Sequence, residues 1–323
     1  MIPTKILIIR LSSLGDIIHT FPMISDLKLN YPNSIIDWLV DDNFSDLVKF
    51  SINIDNVLSI PLRKWKKNKF TLIKNLFLWY KSHNFDHYDY IVDSQGLLKS
   101  AILAKCFKGK IYGYSKDSVK EKLASLFYDY KIYIPKDIFA INKNRLLSSK
   151  IFNYDSESLP INFGVIDKIE NNDLIYHNYV IFFHCTSMDN KKMPQLLWKD
   201  FASYLINKYD LNIIIPYGNT QEKEDSLSIA KTIGSNNVVV PESILSYNQI
   251  FTLINNANFI LGVDTGLIHL SNALRKKLIA LFISTNSKKT GVYETEISKN
   301  LDYISNEKTL SDIINCYETI RKT

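Results

Sequence analysis

The chain has 323 residues, 46% of them hydrophobic and 12% aromatic, which is long enough for two cores and too apolar for disorder. No apolar run approaches the roughly 20 residues that span a bilayer, and the run over 6–9 is too short for a signal-peptide core, so a cytoplasmic location is expected. Three cysteines (Cys106, Cys185 and Cys316) without metal-like spacing argue against a disulfide framework or a zinc site, and a net charge of +6 signals an anionic partner only where it is clustered.

In chain order, Lys5-Ile6-Leu7-Ile8-Ile9 reads as a strand, Arg10-Leu11-Ser12-Ser13-Leu14-Gly15-Asp16 as a loop, and the spacing of Ile17, Ile18, Phe21, Ile24 and Leu27 as a helix. Further strands are predicted over 35–40, 56–60, 88–93 and 110–113, with helical spacing between them and a helix over 97–107 after Ser94-Gln95-Gly96. From about 135 to 178 the pattern weakens into a helix over 142–152 and a polar, Asn-rich stretch, read as a domain junction. A second series follows, with strands over 179–183, 212–216, 238–240, 258–263 and 277–282. This alternation predicts an α/β protein of two tandem Rossmann-like, doubly wound domains facing a central cleft, divided as 1–155 and 156–323, with the last helix a candidate to return to the first domain.

Ligands of such sheets collect beyond the carboxyl ends of the strands, where helix N-termini favour anions. Asp16 sits in the first of these loops, as an acid at the mouth or as a helix cap. Thr186, Ser187 and Lys191 follow the strand over 179–183 and would surround an anion; Gly218 and Glu222 follow the next, where Glu222 reads as a ribose ligand or an exposed first-turn glutamate. Val263-Asp264-Thr265-Gly266-Leu267-Ile268-His269 sets backbone N–H groups at a helix start with His269 one turn on, a diphosphate-binding arrangement or an Asp cap with a buried histidine. The basic segment Arg63-Lys64-Trp65-Lys66-Lys67-Asn68-Lys69-Phe70, interleaved with aromatics, fits an anionic acceptor or a membrane surface; no nucleic-acid motif accompanies it.

Taken together, these loops resemble the bacterial lipopolysaccharide heptosyltransferases of the two-Rossmann-domain (GT-B) type, and more closely those that add the first heptose of the inner core. The resemblance rests on 12–20, 63–67, Asp93-Ser94-Gln95-Gly96-Leu97-Leu98-Lys99-Ser100, Leu123-Ala124-Ser125-Leu126-Phe127-Tyr128 and the loop over 263–270. It implies transfer of L-glycero-D-manno-heptose from ADP-heptose to a Kdo sugar of Kdo2-lipid A, with inversion, by a monomer at the cytoplasmic face of the inner membrane, with no metal or other cofactor. It implies a catalytic base in Asp16, a lysine on the donor phosphates in Lys191, and a donor site of Ser13, Gly15, Thr186, Ser187, Glu222, Asp264, Thr265, Gly266 and His269. Arg63, Lys64, Lys66, Lys67, Gln95 and Lys120 would meet the acceptor. Two departures stand out: Ile283-Ser284-Thr285 replaces the family's Gly-Pro-Thr or Gly-Pro-Ser turn, and Lys120 replaces an arginine and so loses a bidentate fork. Addition of the second heptose, and nucleotide binding without turnover, are the alternatives.

Overall fold

The computed structural model describes residues 3–65, 69–82, 87–168, 176–186 and 189–323. It divides into two compact units, Met1–Ile166 and Asp167–Thr323.

The first unit is built on a parallel sheet of β1 (Lys5–Ile9), β2 (Ile35–Asp41), β3 (Asn56–Ile60), β4 (Tyr90–Asp93), β5 (Lys110–Tyr114) and β6 (Tyr130–Ile132), in the order β3-β2-β1-β4-β5-β6. The second unit repeats the order with β7 (Tyr179–Phe183), β8 (Asn212–Ile214), β9 (Val238–Val239), β10 (Phe259–Val263), β11 (Leu278–Phe282) and β12 (Ser298–Asp302), arranged β12-β11-β10-β7-β8-β9 and again parallel. Central strands covered on both faces must be apolar at every position, and β7, β10 and β11 are buried throughout. Each sheet reverses its direction of growth at one place, between β1 and β4 and between β7 and β10, where loops after neighbouring strands part and leave a crevice.

Two strands escape the sequence pattern. β6 pairs only with β5 and β12 only with β11, so each is an edge strand. Tyr130-Lys131-Ile132 and Ser298-Lys299-Asn300-Leu301-Asp302 accordingly lack the apolar run that marks a buried strand.

The first unit continues past the expected division at 155. The helix Ala140–Phe152 packs on the helix Phe21–Asn30, and its Arg145 enters a buried pair with Asp26, with Nε to Oδ2 at 2.7 Å and Nη2 to Oδ1 at 3.2 Å. The same Nη2 donates to Ser156 O and Leu159 O, which ties the following segment to this unit. Ile52 N donates to Gly164 O and Ile166 N to Phe50 O; Gly164, at φ +57°, lies where a side chain would strike Ser25 and Asn53. The last helix, Asn306–Ile320, stays with the second unit: Ile313, Tyr317 and Ile320 join the core around Trp198, Phe201 and Phe259, with the Phe259 and Tyr317 rings 4.9 Å apart. Residues 169–175, part of the predicted junction, lie outside the described residues.

Removing one partner of the Arg145–Asp26 pair leaves a buried, uncompensated charge, which costs about 3–5 kcal/mol. Arg145→Ala should therefore lower the urea midpoint read by hydrogen exchange in Phe21–Asn30, and leave exchange in the second unit's sheet unchanged.

Candidate active site

In the first unit the parting of β1 and β4 is bridged by side chains. Arg10, the residue after β1, donates through Nη1 to Ser94 O in the loop after β4, and its Nη2 lies 3.2 Å from Asp16 Oδ1. Gln95 bridges back: its Oε1 accepts from Leu11 N at 2.9 Å and its Nε2 donates to Ser12 O at 3.2 Å. Asp93, at the end of β4 and fully buried, anchors the turn. Its Oδ1 accepts from the backbone N–H of Gln95 and Gly96, and its Oδ2 from Ser100 Oγ and Tyr128 OH at 2.8 and 2.7 Å. Burial raises the Asp93 pKa, and these donors offset it only in part. Gly96, at φ +67° and with Val119 and Tyr114 against it, completes a turn that a side chain would strain.

Asp16 stands on the short helix Leu14–Ile18, and its Oδ2 accepts from Ser13 N at 3.2 Å and Ser13 Oγ at 3.0 Å. Asp16 closes a capping box with Ser13 at the helix start, and its side chain stays 48% exposed. Burial works to raise its pKa, but the Arg10 charge, the Ser13 N–H and hydroxyl and His19 outweigh it and hold Asp16 below the ordinary carboxylate range. The group is a carboxylate open to a proton donor. Gly15 lies within this helix, so of the expected residues Ser13, Gly15, Asp16 and Gln95 occupy one loop cluster.

In the second unit Lys191, from the 3₁₀ turn Asp189–Lys191 after β7, reaches across the parting of β7 and β10 and donates from Nζ to Asp264 Oδ2 at 2.7 Å. His269 Nε2 lies 3.8 Å from the other oxygen, Oδ1. Burial pushes the Asp264 pKa up, but His269, Lys191 and the Thr285 hydroxyl overcome it and hold the group well below the usual range. Thr265 is the N-cap of Gly266–Ala273 and makes no side-chain cap bond, so the first N–H groups of this helix are presented beside a lysine and a histidine. Thr186 Oγ1 is buried without a hydrogen-bond partner among the described residues. Glu222 stands in the first turn of the helix Thr220–Ile233, and its Oε2 accepts from Gly218 N at 2.7 Å; no contact joins it to Lys191 or Asp264 among the described residues. Nearby, burial pushes His184 down to about 4, so the imidazole sharing a hydrogen bond with Ser226 is neutral.

The basic segment is partly neutralised. Lys64 Nζ donates to Asp42 Oδ2 at 2.6 Å and Arg63 Nε lies 3.8 Å from Asp41 Oδ1, acids at the end of β2. These carboxylates come from an earlier stretch of the chain and offset part of the segment's charge. Lys66, Lys67 and Ser187 lie outside the described residues. Lys120 is exposed and acts with Arg10 and Lys136 on the half-buried ammonium of Lys143, whose pKa is lowered by burial first and by these cations next. Arg10 and Asp93 were missing from the expected site, although a charged residue closing an apolar strand is a legible signal for both. Among the described residues no group of three or more His, Cys, Asp or Glu side chains could hold a metal ion.

Residues 81–317 match the family model of glycosyltransferase family 9 (heptosyltransferase). The chain belongs to this family. It is 29% identical over 294 residues to lipopolysaccharide heptosyltransferase 1 of Salmonella typhimurium, covering 90% of this chain and 91% of that one. Among solved structures it is similar to E. coli heptosyltransferase WaaC with ADP, at a TM-score of 0.84, 25% identity and coverage of 97% and 99%. The same enzyme with ADP-2-deoxy-2-fluoro heptose matches at a TM-score of 0.83 and 25% identity, covering 98% and 99%. The two six-stranded parallel sheets are thus the GT-B fold of a glycosyltransferase.

Two outcomes test this electrostatic arrangement. Arg10→Gln removes the cation that lowers Asp16, so the titration of this carboxylate, followed by NMR, should move up from its native position. Asp264, with its folded pKa depressed, contributes stability that is present above about pH 4 and lost as pH falls through the folded value. Lys191→Met should then cost about 1–3 kcal/mol in urea unfolding at neutral pH, with a gap to wild type that closes on acidification.

Proposed function

We propose that this chain is the heptosyltransferase that adds the first heptose of the lipopolysaccharide inner core, moving L-glycero-D-manno-heptose from ADP-heptose to a Kdo sugar of Kdo2-lipid A with inversion. The carrying observation is Asp16: a half-exposed carboxylate, held ionised by Arg10 and Ser13, on the loop after the first strand. A sugar hydroxyl is a weak nucleophile, and a carboxylate within hydrogen-bond reach takes its proton as the oxygen attacks the anomeric carbon of the donor. The family match and the similarity to lipopolysaccharide heptosyltransferase 1 over nine tenths of the chain support the donor and reaction class.

The leaving ADP needs charge neutralisation more than protonation. Lys191 and the N-terminus of Gly266–Ala273 supply it on this reading, with Asp264 holding Lys191 and His269 in place and Thr186 offering an unsatisfied hydroxyl. Ser187 belongs to the same donor set, and Glu222, beside Gly218, takes the ribose. No metal is required in this scheme. Lys120, Lys66, Lys67, Arg63 and Lys64 meet the anionic acceptor, the last two by leaving Asp41 and Asp42. Because that acceptor is a lipid, the enzyme works as a peripheral protein of the inner membrane.

Purified protein given ADP-heptose and Kdo2-lipid A should yield a product one heptose heavier, undiminished by EDTA, with Asp16→Asn at least about a hundredfold slower while still binding ADP. Transfer only to an acceptor already carrying one heptose would assign the chain to the second step. ADP binding without transfer to either acceptor would leave a nucleotide-binding module.

A further inference from the structure

The segment linking β5 to β6 carries a feature that the proposed chemistry does not use. The 3₁₀ helix Lys122–Phe127 has one face inward, with Ala124 at 0% and Ser125 at 3% exposure. Its other face holds Leu123 and Leu126, 61% and 70% exposed. In a 3₁₀ helix residues i and i+3 eclipse, so these two leucines project as one apolar tip rather than as scattered surface residues. The packed neighbour, helix Leu98–Ala104, adds Ile102 at 44% exposure.

The tip is rigidly mounted. Glu121 N donates to Gly96 O at 3.2 Å, and Glu121 Oε2 accepts from Leu98 N at 2.6 Å, which fixes the start of the 3₁₀ helix to the turn that Asp93 organises and Gln95 extends toward Ser12. Hydrophobic exposure is therefore imposed at the carboxyl edge of the first sheet, where Asp16 stands. Cations gather beside it: Lys120 and Lys122 flank Glu121, whose carboxylate is engaged by Leu98, and Lys116 is exposed with Asp117 next to it. Lys120, Lys136 and Arg10 also act on the half-buried ammonium of Lys143, against the opposing charge of Asp16.

We propose that Leu123 and Leu126 form a bilayer-docking tip, which enters the headgroup boundary of an anionic membrane while Lys120 and Lys122 meet lipid phosphates. An apolar tip ringed by lysines is matched by a surface with an apolar interior and an anionic skin. The proposal rests on the reading of a lipid-borne acceptor, for it sets the membrane on the side from which that acceptor's sugar would reach Asp16.

The test is co-sedimentation of the full chain with phosphatidylethanolamine vesicles containing phosphatidylglycerol, and with phosphatidylcholine vesicles as the uncharged control. Binding is expected to the anionic vesicles, weakened by salt, and at least about tenfold weaker in L123D/L126D and more mildly reduced in L123S/L126S. Both variants should keep the native circular dichroism spectrum and unaltered transfer to a soluble Kdo acceptor without acyl chains, but lose transfer to acceptor embedded in vesicles. Equal vesicle binding by wild type and both variants would overturn the proposal, as would self-association in lipid-free buffer that the substitutions abolish, which would make the tip a contact between copies. Vesicle binding that depends on the tip in a chain that transfers heptose to neither acceptor would uphold the docking surface and reject the proposed function.

Discussion

Each sheet reverses its growth once, and the loops that part there have no neighbouring strand to satisfy their polar groups. Those groups must be met by side chains, and in the first unit the burden falls on Asp93. Fully buried at the end of β4, it accepts two backbone N–H groups and two hydroxyls, and so fixes the turn from which Gln95 reaches the loop after β1. Without that carboxylate the Tyr128 hydroxyl would lose its acceptor, and the Asp16 loop would lose its brace. The placement of Asp16 is thus a consequence of hydrogen-bond satisfaction one strand away.

The same constraint is met differently in the second unit. There an ion pair crosses the parting, Lys191 to Asp264, with side chains only 17% and 12% exposed. Asp264 accepts from Lys191 and lies beside His269, whereas the Asp16 side chain keeps about half its surface in water. Two carboxylates, both held below the ordinary range, thus differ in exposure and in the groups that surround them.

Much of this was legible before any coordinates. The buried strands announce themselves as β-branched runs, and the loops that close them carry Asp16, Lys191, Asp264 and His269 in recognisable order. β6 and β12 were not legible, because 130–132 and 298–302 mix polar and apolar residues without a β-branched run, whereas the other edge strands, β3 and β9, carry one. Nor was the end of the first unit, since the segment after Phe152 is held by backbone carbonyls on Arg145 and by a bridge from Ser51 to Val165, neither of which leaves a pattern in side-chain types.

The sequence by itself determined the architecture and the identity of the chemical groups, because hydrophobic periodicity and turn residues are local properties read along the chain. Tertiary structure alone decided how those groups are charged and occupied. That Arg10 lowers Asp16, that Asp41 and Asp42 hold Arg63 and Lys64, and that Lys191 is clasped by Asp264 all depend on contacts made by folding. Electrostatic energy falls with distance through space and takes no account of separation along the chain, so no spacing rule could have supplied these pairings.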